Sequence, residues 1–179
     1  IETGFEFELL EKILDSIRQA AEENNVKIVT GDTKTVETGA ADKIFINTSG
    51  IAVQYPNIEL GFDKIEAGDK ILLSGTIGDH GMTIISQRQD IKFESTLKSD
   101  CAGLAGITGL LFENISGIKF MRDPTRGGLA ASLNEISRST GLGVEIHEEE
   151  IPVNPTVQAA ANMLGFDVLN IANEGKFVA

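Results

Sequence analysis

The sequence has no tryptophan and only one cysteine, Cys101, and its 15 lysines and arginines are outnumbered by 27 acidic residues. A lone cysteine cannot close an internal disulfide, and the two histidines have no further His or Cys at metal-ligand spacing, so neither a disulfide scaffold nor a zinc site is expected. The apolar runs are only a few residues long and are broken by glycine, serine or charge, which argues against a membrane span and a secretory h-region. The chain reads as soluble and cytoplasmic. Its net charge of -12, with no basic stripe to offset it, argues against a nucleic-acid partner. An anionic nucleotide would have to be met locally, by backbone N–H groups, a few Lys or Arg side chains, or Mg²⁺ held by carboxylates.

What is present is globular. The 179 residues are 41% hydrophobic with no low-complexity tract, enough for one well-buried domain or two small ones. Leu10, Ile13, Leu14 and Ile17 recur at helical spacing, so 5–24 is predicted as an amphipathic helix. Segments 27–30 and 43–53 read as strands. Pro56, Gly61 and Gly68 then interrupt the pattern, which places a junction over 55–68 between a first part, 1–54, and a second, 69–179.

In the second part "DKILLSG" reads as a buried strand, "DHGMTIISQR" as a helix, and Asp100 as N-cap of a helix "CAGLAGITGLLFEN". Leu129, Leu133 and Ile136 predict a helix starting near Gly127 or Gly128. "GVEIH" reads as a strand, and Asn154-Pro155 opens a helix over 155–164 that Gly165 ends. "KFVA" begins a new strand pattern. The class is α/β or α+β.

Four stretches could carry chemistry. In "TGDTK", Gly31 permits a sharp turn, Asp32 can hold Mg²⁺ or water, Thr33 can bond a phosphate oxygen and Lys34 adds a mobile charge; a solvated turn explains the same residues. The glycine-rich "SGTIGDHGM" could bring backbone N–H groups to a phosphate, with Asp79 and His80 beside it, or be a tight loop in which Asp79 caps the helix. In "MRDPTRGGLAASLNEI", Asp123-Pro124 fits an N-cap and first helical residue. Arg122, Arg126 and the pair Gly127-Gly128 fit a phosphate clamp, or close helix packing with arginines paired to nearby acids. "ANEGK" offers Asn173 and Glu174 as a plain turn, or Glu174 as a base that Lys176 would acidify and burial would make more basic. Cys101 is expected in the core rather than as a nucleophile.

Together, "VTGDTKTVETGAADKIFINTSGI", "LLSGTIGDHGM", "LKSDCAGL", "MRDPTRGGLAASLNEI", "IPVNPTVQAA" and "NIANEGKFVA" resemble, in order and spacing, the HypE family of hydrogenase maturation proteins. That family is related to aminoimidazole ribonucleotide synthetase and selenophosphate synthetase. The resemblance implies an aminoimidazole ribonucleotide synthetase-like α+β fold of two domains, the first only partly present. It implies that the family's amino-terminal Mg-ATP aspartates and its carboxy-terminal acceptor cysteine lie outside these residues, so that Cys101 is not that acceptor. Thr35 departs from the valine common in the family and leaves Asp32, Thr33 and Lys34 in place.

The activity implied is ATP-dependent dehydration of an S-carbamoyl cysteine to a thiocyanate, which supplies cyanide to the iron of [NiFe] hydrogenase. ATP and Mg²⁺ are the implied cofactors. The implied partners are a second copy in a homodimer, the carbamoyltransferase HypF, and a HypC–HypD scaffold. Catalytic roles would fall on Glu174, Lys34 and Asp32, with Asp32 also a metal ligand. Phosphate or ATP contacts would fall on Gly31, Thr33, Asp79, His80, Arg122, Asp123, Arg126, Gly127, Gly128 and Asn173. The competing expectations are a docking and dimerisation fragment without turnover, or another family member such as a selenophosphate synthetase or thiamine-phosphate kinase.

Overall fold

The computed structural model describes residues 1–89, 91 and 97–179. These form two compact units, Ile1–Pro56 and Asn57–Ala179. Among the described residues no helix is long and apolar enough to cross a membrane.

The first unit is built on α1 (Phe7–Glu23), where the 3.6-residue apolar spacing predicted it. Arg18 on its outer surface pairs with Glu22 at 3.0 Å and Asp15 at 3.5 Å. The strands expected at 27–30 and 43–53 are not formed: neither segment carries a ladder among the described residues, and Lys43 sits in a bend at φ 64°. A β-rich sequence becomes a strand only when a neighbour takes up its N–H and C=O groups. Here the paired backbone is instead a parallel bridge between Glu2 and Val36, flanked by Glu2 N–H to Lys43 O at 2.8 Å. Val29, Ile51 and Val53 consequently stand in the open, at 87%, 105% and 96% exposure.

The second unit holds the core. Ile77, Met82, Leu129, Leu133, Ile136, Val157, Ala160, Val168, Ile171 and Val178 are buried together. They come from α2 (Asp79–Arg88), α4 (Gly128–Thr140), α5 (Pro155–Leu164), the chain just before α2 and the chain after α5. α5 follows its signals closely: Asn154 accepts a bond from Thr156 N at 3.0 Å, Pro155 supplies a preset φ, and Gly165 closes the helix at φ 72°.

α3 (Ala105–Asn114) starts later than expected, with Leu104 at its N-cap. Asp100 does not cap it, because its carboxylate is spent elsewhere. "GVEIH" forms no ladder among the described residues, for the same want of a partner as in the first unit. "DKILLSG" is not a fully buried strand. Ile71 and Leu72 are 43% and 41% exposed.

The "KFVA" segment organises what pairing there is. Val178 bridges Leu73 on one side and Arg122 on the other, both antiparallel. Leu72 and Ala179 exchange N–H···O bonds of 2.8 and 2.9 Å. Ile77 runs parallel to Val153. These contacts bring the turns after Ser74 and Arg122 to the same end as the "ANEGK" turn.

Asn173 joins those turns. Its side chain has no exposure, its Oδ1 accepts from Gly78 N at 2.7 Å, and its Nδ2 donates to Pro124 O at 3.1 Å and Ile171 O at 3.0 Å. One amide thereby fixes the chain entering α2 and the chain approaching α4. Truncation would strand a buried donor and two buried carbonyls, so Asn173→Ala is expected to lower the unfolding free energy of the second unit by about 3 kcal/mol. Asn154→Ala, which removes an exposed helix cap, should cost about 1 kcal/mol. Urea unfolding of the two variants checks both values, and equal losses would mean that the Asn173 bonds carry no more than an ordinary cap.

Candidate functional site

The predicted residues divide between the two units. In the first, Gly31, Asp32, Thr33 and Lys34 lie on an exposed loop. Asp32 Oδ1 accepts the N–H of Thr33 at 2.8 Å, the local carboxylate-to-backbone bond typical of a turn. The backbone carbonyl of Lys34 accepts from the Ile1 amino group at 3.0 Å. The turn thus has internal bonds while the second Asp32 oxygen and the Lys34 ammonium face solvent.

In the second unit, Gly78 is the N-cap of α2 in the left-handed region at φ 84°. Its N–H, one of the groups a phosphate would need, is already given to Asn173. Gly81 is there for packing: a Cβ would lie 2.4 Å from Ile171 Cγ2 and 3.2 Å from the Ala172 main chain. Asp79 accepts from Thr76 Oγ1 at 2.6 Å through Oδ2, and its carbonyl accepts from Thr83 Oγ1 at 2.7 Å. The sequence expectation of a phosphate cradle here meets a turn whose donors are largely used inside the protein.

His80 points to the 99–101 segment, with Nδ1 2.9 Å from Ser99 Oγ and 3.9 Å from Cys101 Sγ. Cys101 is exposed, not in the core as expected. The residues that would have packed it begin α3 only at Ala105.

The arginines of "MRDPTRGG" separate. Arg122 is ion-paired with Glu135 of α4 and donates from Nε to Asp123 O at 3.0 Å. Arg126 is exposed and has no ion-pair partner among the described residues. Asp123-Pro124 does not start the helix, which begins at Gly128 after Gly127 at φ 69°. Asp123 instead bonds within its own turn. The Thr125 hydroxyl, and secondarily the Arg122 charge, hold its carboxyl below the ordinary carboxylate value against partial burial.

Gly128 explains the glycine pair: a Cβ there would sit 2.4 Å from Leu169 O and 2.7 Å from Ile171 O. The first turn of α4 is pressed against the 169–171 backbone. Outside it, an open cleft of about 560 Å³ runs past Gly127, Ala131, Asn134, Glu135 and Arg138.

Glu174 is half-buried, and its N–H donates to Asp100 Oδ1 at 3.1 Å. Lys176, which sequence reasoning set beside Glu174, is committed elsewhere. Its Nζ lies 2.5 Å from Asp100 Oδ2 and 3.6 Å from Asp79 Oδ2, with the Lys176 and Asp100 side chains only 9% and 7% exposed. Among the described residues the Glu174 carboxylate has no hydrogen-bond or ion-pair partner. Asp100 and Lys176 are the residues sequence reasoning missed as a pair. Lys176 inside an apolar strand pattern was the one available signal. Among the described residues no group of three or more His, Cys, Asp or Glu could hold a metal ion.

The family model for AIR synthase related protein, C-terminal domain, matches residues 66–179. The carbamoyl dehydratase HypE of Bradyrhizobium diazoefficiens is 49% identical over 180 positions, covering 100% of this chain and 52% of its own length. A solved HypE–HypF complex contains a chain that superposes with a TM-score of 0.96 at 49% identity, over 99% of this chain and 58% of that one. A HypE structure in complex with ATP superposes with a TM-score of 0.88 at 38% identity, over 99% and 53%. The chain thus spans about half the length of the curated relatives it matches. From the matched 66–179 segment and this α+β fold, the chain belongs to the AIR synthase related family, with the HypE hydrogenase maturation proteins among its relatives.

Proposed function

We propose that this chain carries the base and phosphate-handling residues of a cytoplasmic, ATP-dependent carbamoyl dehydratase of [NiFe] hydrogenase maturation. The substrate in this reading is a carbamoyl group on the sulfur of a cysteine at the protein's own carboxy terminus, and the product is a thiocyanate. The single observation that carries it is the state of Glu174: its main chain is held by Asp100, its neighbouring lysine is consumed by two aspartates, and its carboxylate has no partner among the described residues. A base must be positioned and must keep its lone pairs free for the proton it takes.

Dehydrating S–C(=O)–NH₂ to S–C≡N breaks the carbon–oxygen bond and removes both protons from nitrogen. ATP, when bound, supplies the phosphoryl group that makes the amide oxygen a leaving group. Glu174 takes one proton from the amide nitrogen, and the departing phosphate takes up the other. Lys34 offsets negative charge on phosphate or amide oxygen, Thr33 and the Gly31 turn contact phosphate, and Asp32 is the residue that would hold Mg²⁺. Arg126, exposed before the first turn of α4, is the arginine left to meet an anion, since Arg122 is tied to Glu135. Asn173, Gly127 and Gly128 act by shaping the turns, and Asp79, His80 and Asp123 line them.

HypF as partner is proposed here and is supported by the solved HypE–HypF complex, which contains a chain similar to this one. A HypC–HypD scaffold as the acceptor of cyanide is proposed on the resemblance. A homodimer through the region of 43–53 is supported by the apolar side chains that stand open there, Phe45, Ile46, Ile51 and Val53. Sedimentation of the chain at high micromolar concentration should show a species of twice 19.2 kDa, and a monomer throughout would remove the dimer from this reading.

Glu174→Gln in the full-length parent protein keeps size and hydrogen bonding and deletes basicity. Nucleotide binding should persist while the rate of dehydration falls about 10²–10⁴-fold. Mass spectrometry of the carbamoylated tail, following loss of one water, reads the outcome. Conversion at the wild-type rate with Gln would rule out Glu174 as the base, and a lowered melting temperature with intact conversion would leave it a residue that only orders its turn.

A further inference from the structure

Asp100 lies 74 residues before Glu174 and belongs to none of the phosphate-like stretches, yet both its oxygens are turned to the "ANEGK" turn. Oδ1 accepts the Glu174 N–H at 3.1 Å and Oδ2 accepts from Lys176 Nζ at 2.5 Å. Between those contacts Gly175 stands at φ 46°, where a Cβ would lie 2.1 Å from Asp100 O and 2.5 Å from Ala102 N. The 100–102 backbone is therefore pressed against the turn at the same point where the carboxylate grips it. Lys176 is closed off by a second acid, Asp79, whose Oδ2 is in turn bonded by Thr76.

We propose that Asp100 is a positioning residue for Glu174: by accepting the Glu174 N–H with Oδ1 it fixes the base through the main chain, while the Lys176 ion pair on its other oxygen serves stability. This rests on the reading of Glu174 as the base. A carboxylate held by its own oxygens would be orientated but neutralised. One held by its backbone stays free for the proton. A charged acceptor on the N–H, shielded from water, is the stronger form of that bond. Asp100 itself touches no reacting atom.

The competing account is that Asp100 and Lys176 form a buried ion pair that only stabilises the unit, since breaking such a pair strands a charge. The accounts differ in which of the two Asp100 bonds matters. Asp100→Asn keeps an oxygen for the Glu174 N–H and loses the ion pair, whereas Asp100→Ala loses both. In the full-length carbamoylated protein, at a temperature where each variant is folded, Asp100→Ala should slow dehydration about 100-fold, the scale of a misplaced reacting group, with the affinity for Mg-ATP within about threefold. Asp100→Asn should recover the rate to within about tenfold of wild type in spite of a lower melting temperature.

A wild-type rate in the Ala variant, or an Asn variant as slow as Ala, would overturn the proposal. Glu174→Gln run in parallel separates the two ideas: if it dehydrates normally the base reading fails, and if it is inactive while Asp100→Ala is fully active only the positioning role fails. Should the Ala variant not fold, a crystal structure of the wild-type full chain decides. Asp100 Oδ1 within hydrogen-bond distance of Glu174 N supports the proposal, and a different acceptor on that N–H overturns it.

Discussion

One side-chain amide sets the arrangement of the second unit. Asn173 gives a carbonyl oxygen to Gly78 and two N–H bonds to Pro124 and Ile171, with no contact to water. A buried amide that found only some of these partners would cost more than an apolar residue in its place. Satisfying all three requires the chain before α2, the chain before α4 and the end of the 168–171 turn to converge on one point. Gly78 and Gly128 make that convergence possible, the first through its positive φ and the second because no Cβ fits beside Leu169 O. The next residues along, Glu174 to Lys176, then fall between Asp100 and Asp79, so the placement of the candidate base follows from the placement of its neighbour.

The same economy governs charge. In a chain of net charge -12, four cations of the second unit are committed to acids: Lys176 to Asp100 and Asp79, Arg122 to Glu135, Lys119 to Glu66 and Asp69, and Lys64 to Glu59 and Asp63. Lys119 bridges two acids at the surface, and the hydrogen bonds it donates to Glu66 and Asp69 raise its affinity for a proton. Of the candidate-site residues, Arg126 and Lys34 are exposed without an acidic partner, and the Glu174 carboxylate has none, among the described residues, so these are the site groups available for chemistry. Electrostatic help for a reacting phosphate would come from few, placed charges, not from a basic surface.

Local signals were legible. The 3.6-residue spacing of Leu129, Leu133 and Ile136, the Asn154-Pro155 start and the Gly165 stop gave α4 and α5, and "DHGMTIISQR" matches α2 from end to end. The misreadings share a physical cause: they turn on partners far away in the chain. Asp100 looked like an N-cap because a helix pattern follows it, but a buried lysine 76 residues later competes for its carboxylate and wins. Cys101 looked apolar because its His80 neighbour is 21 residues away. Strand patterns at 27–30, 43–53 and 143–147 show propensity without a partner, and propensity alone does not make a ladder. At the candidate site, residue types were readable, and which of them are free and which are consumed was not.

Hydrogen exchange at the Gly78 amide tests the account most directly, because that N–H has the Asn173 side chain as its acceptor and lies in a turn that a phosphate-binding reading would leave open. If Asn173 pins the two turns, this amide exchanges only when the second unit opens as a whole, with the same free energy that urea unfolding of that unit gives, and in Asn173→Ala it becomes as fast as the exposed Gly68 amide. A Gly78 amide that already exchanges at the Gly68 rate in the wild-type chain would contradict the account.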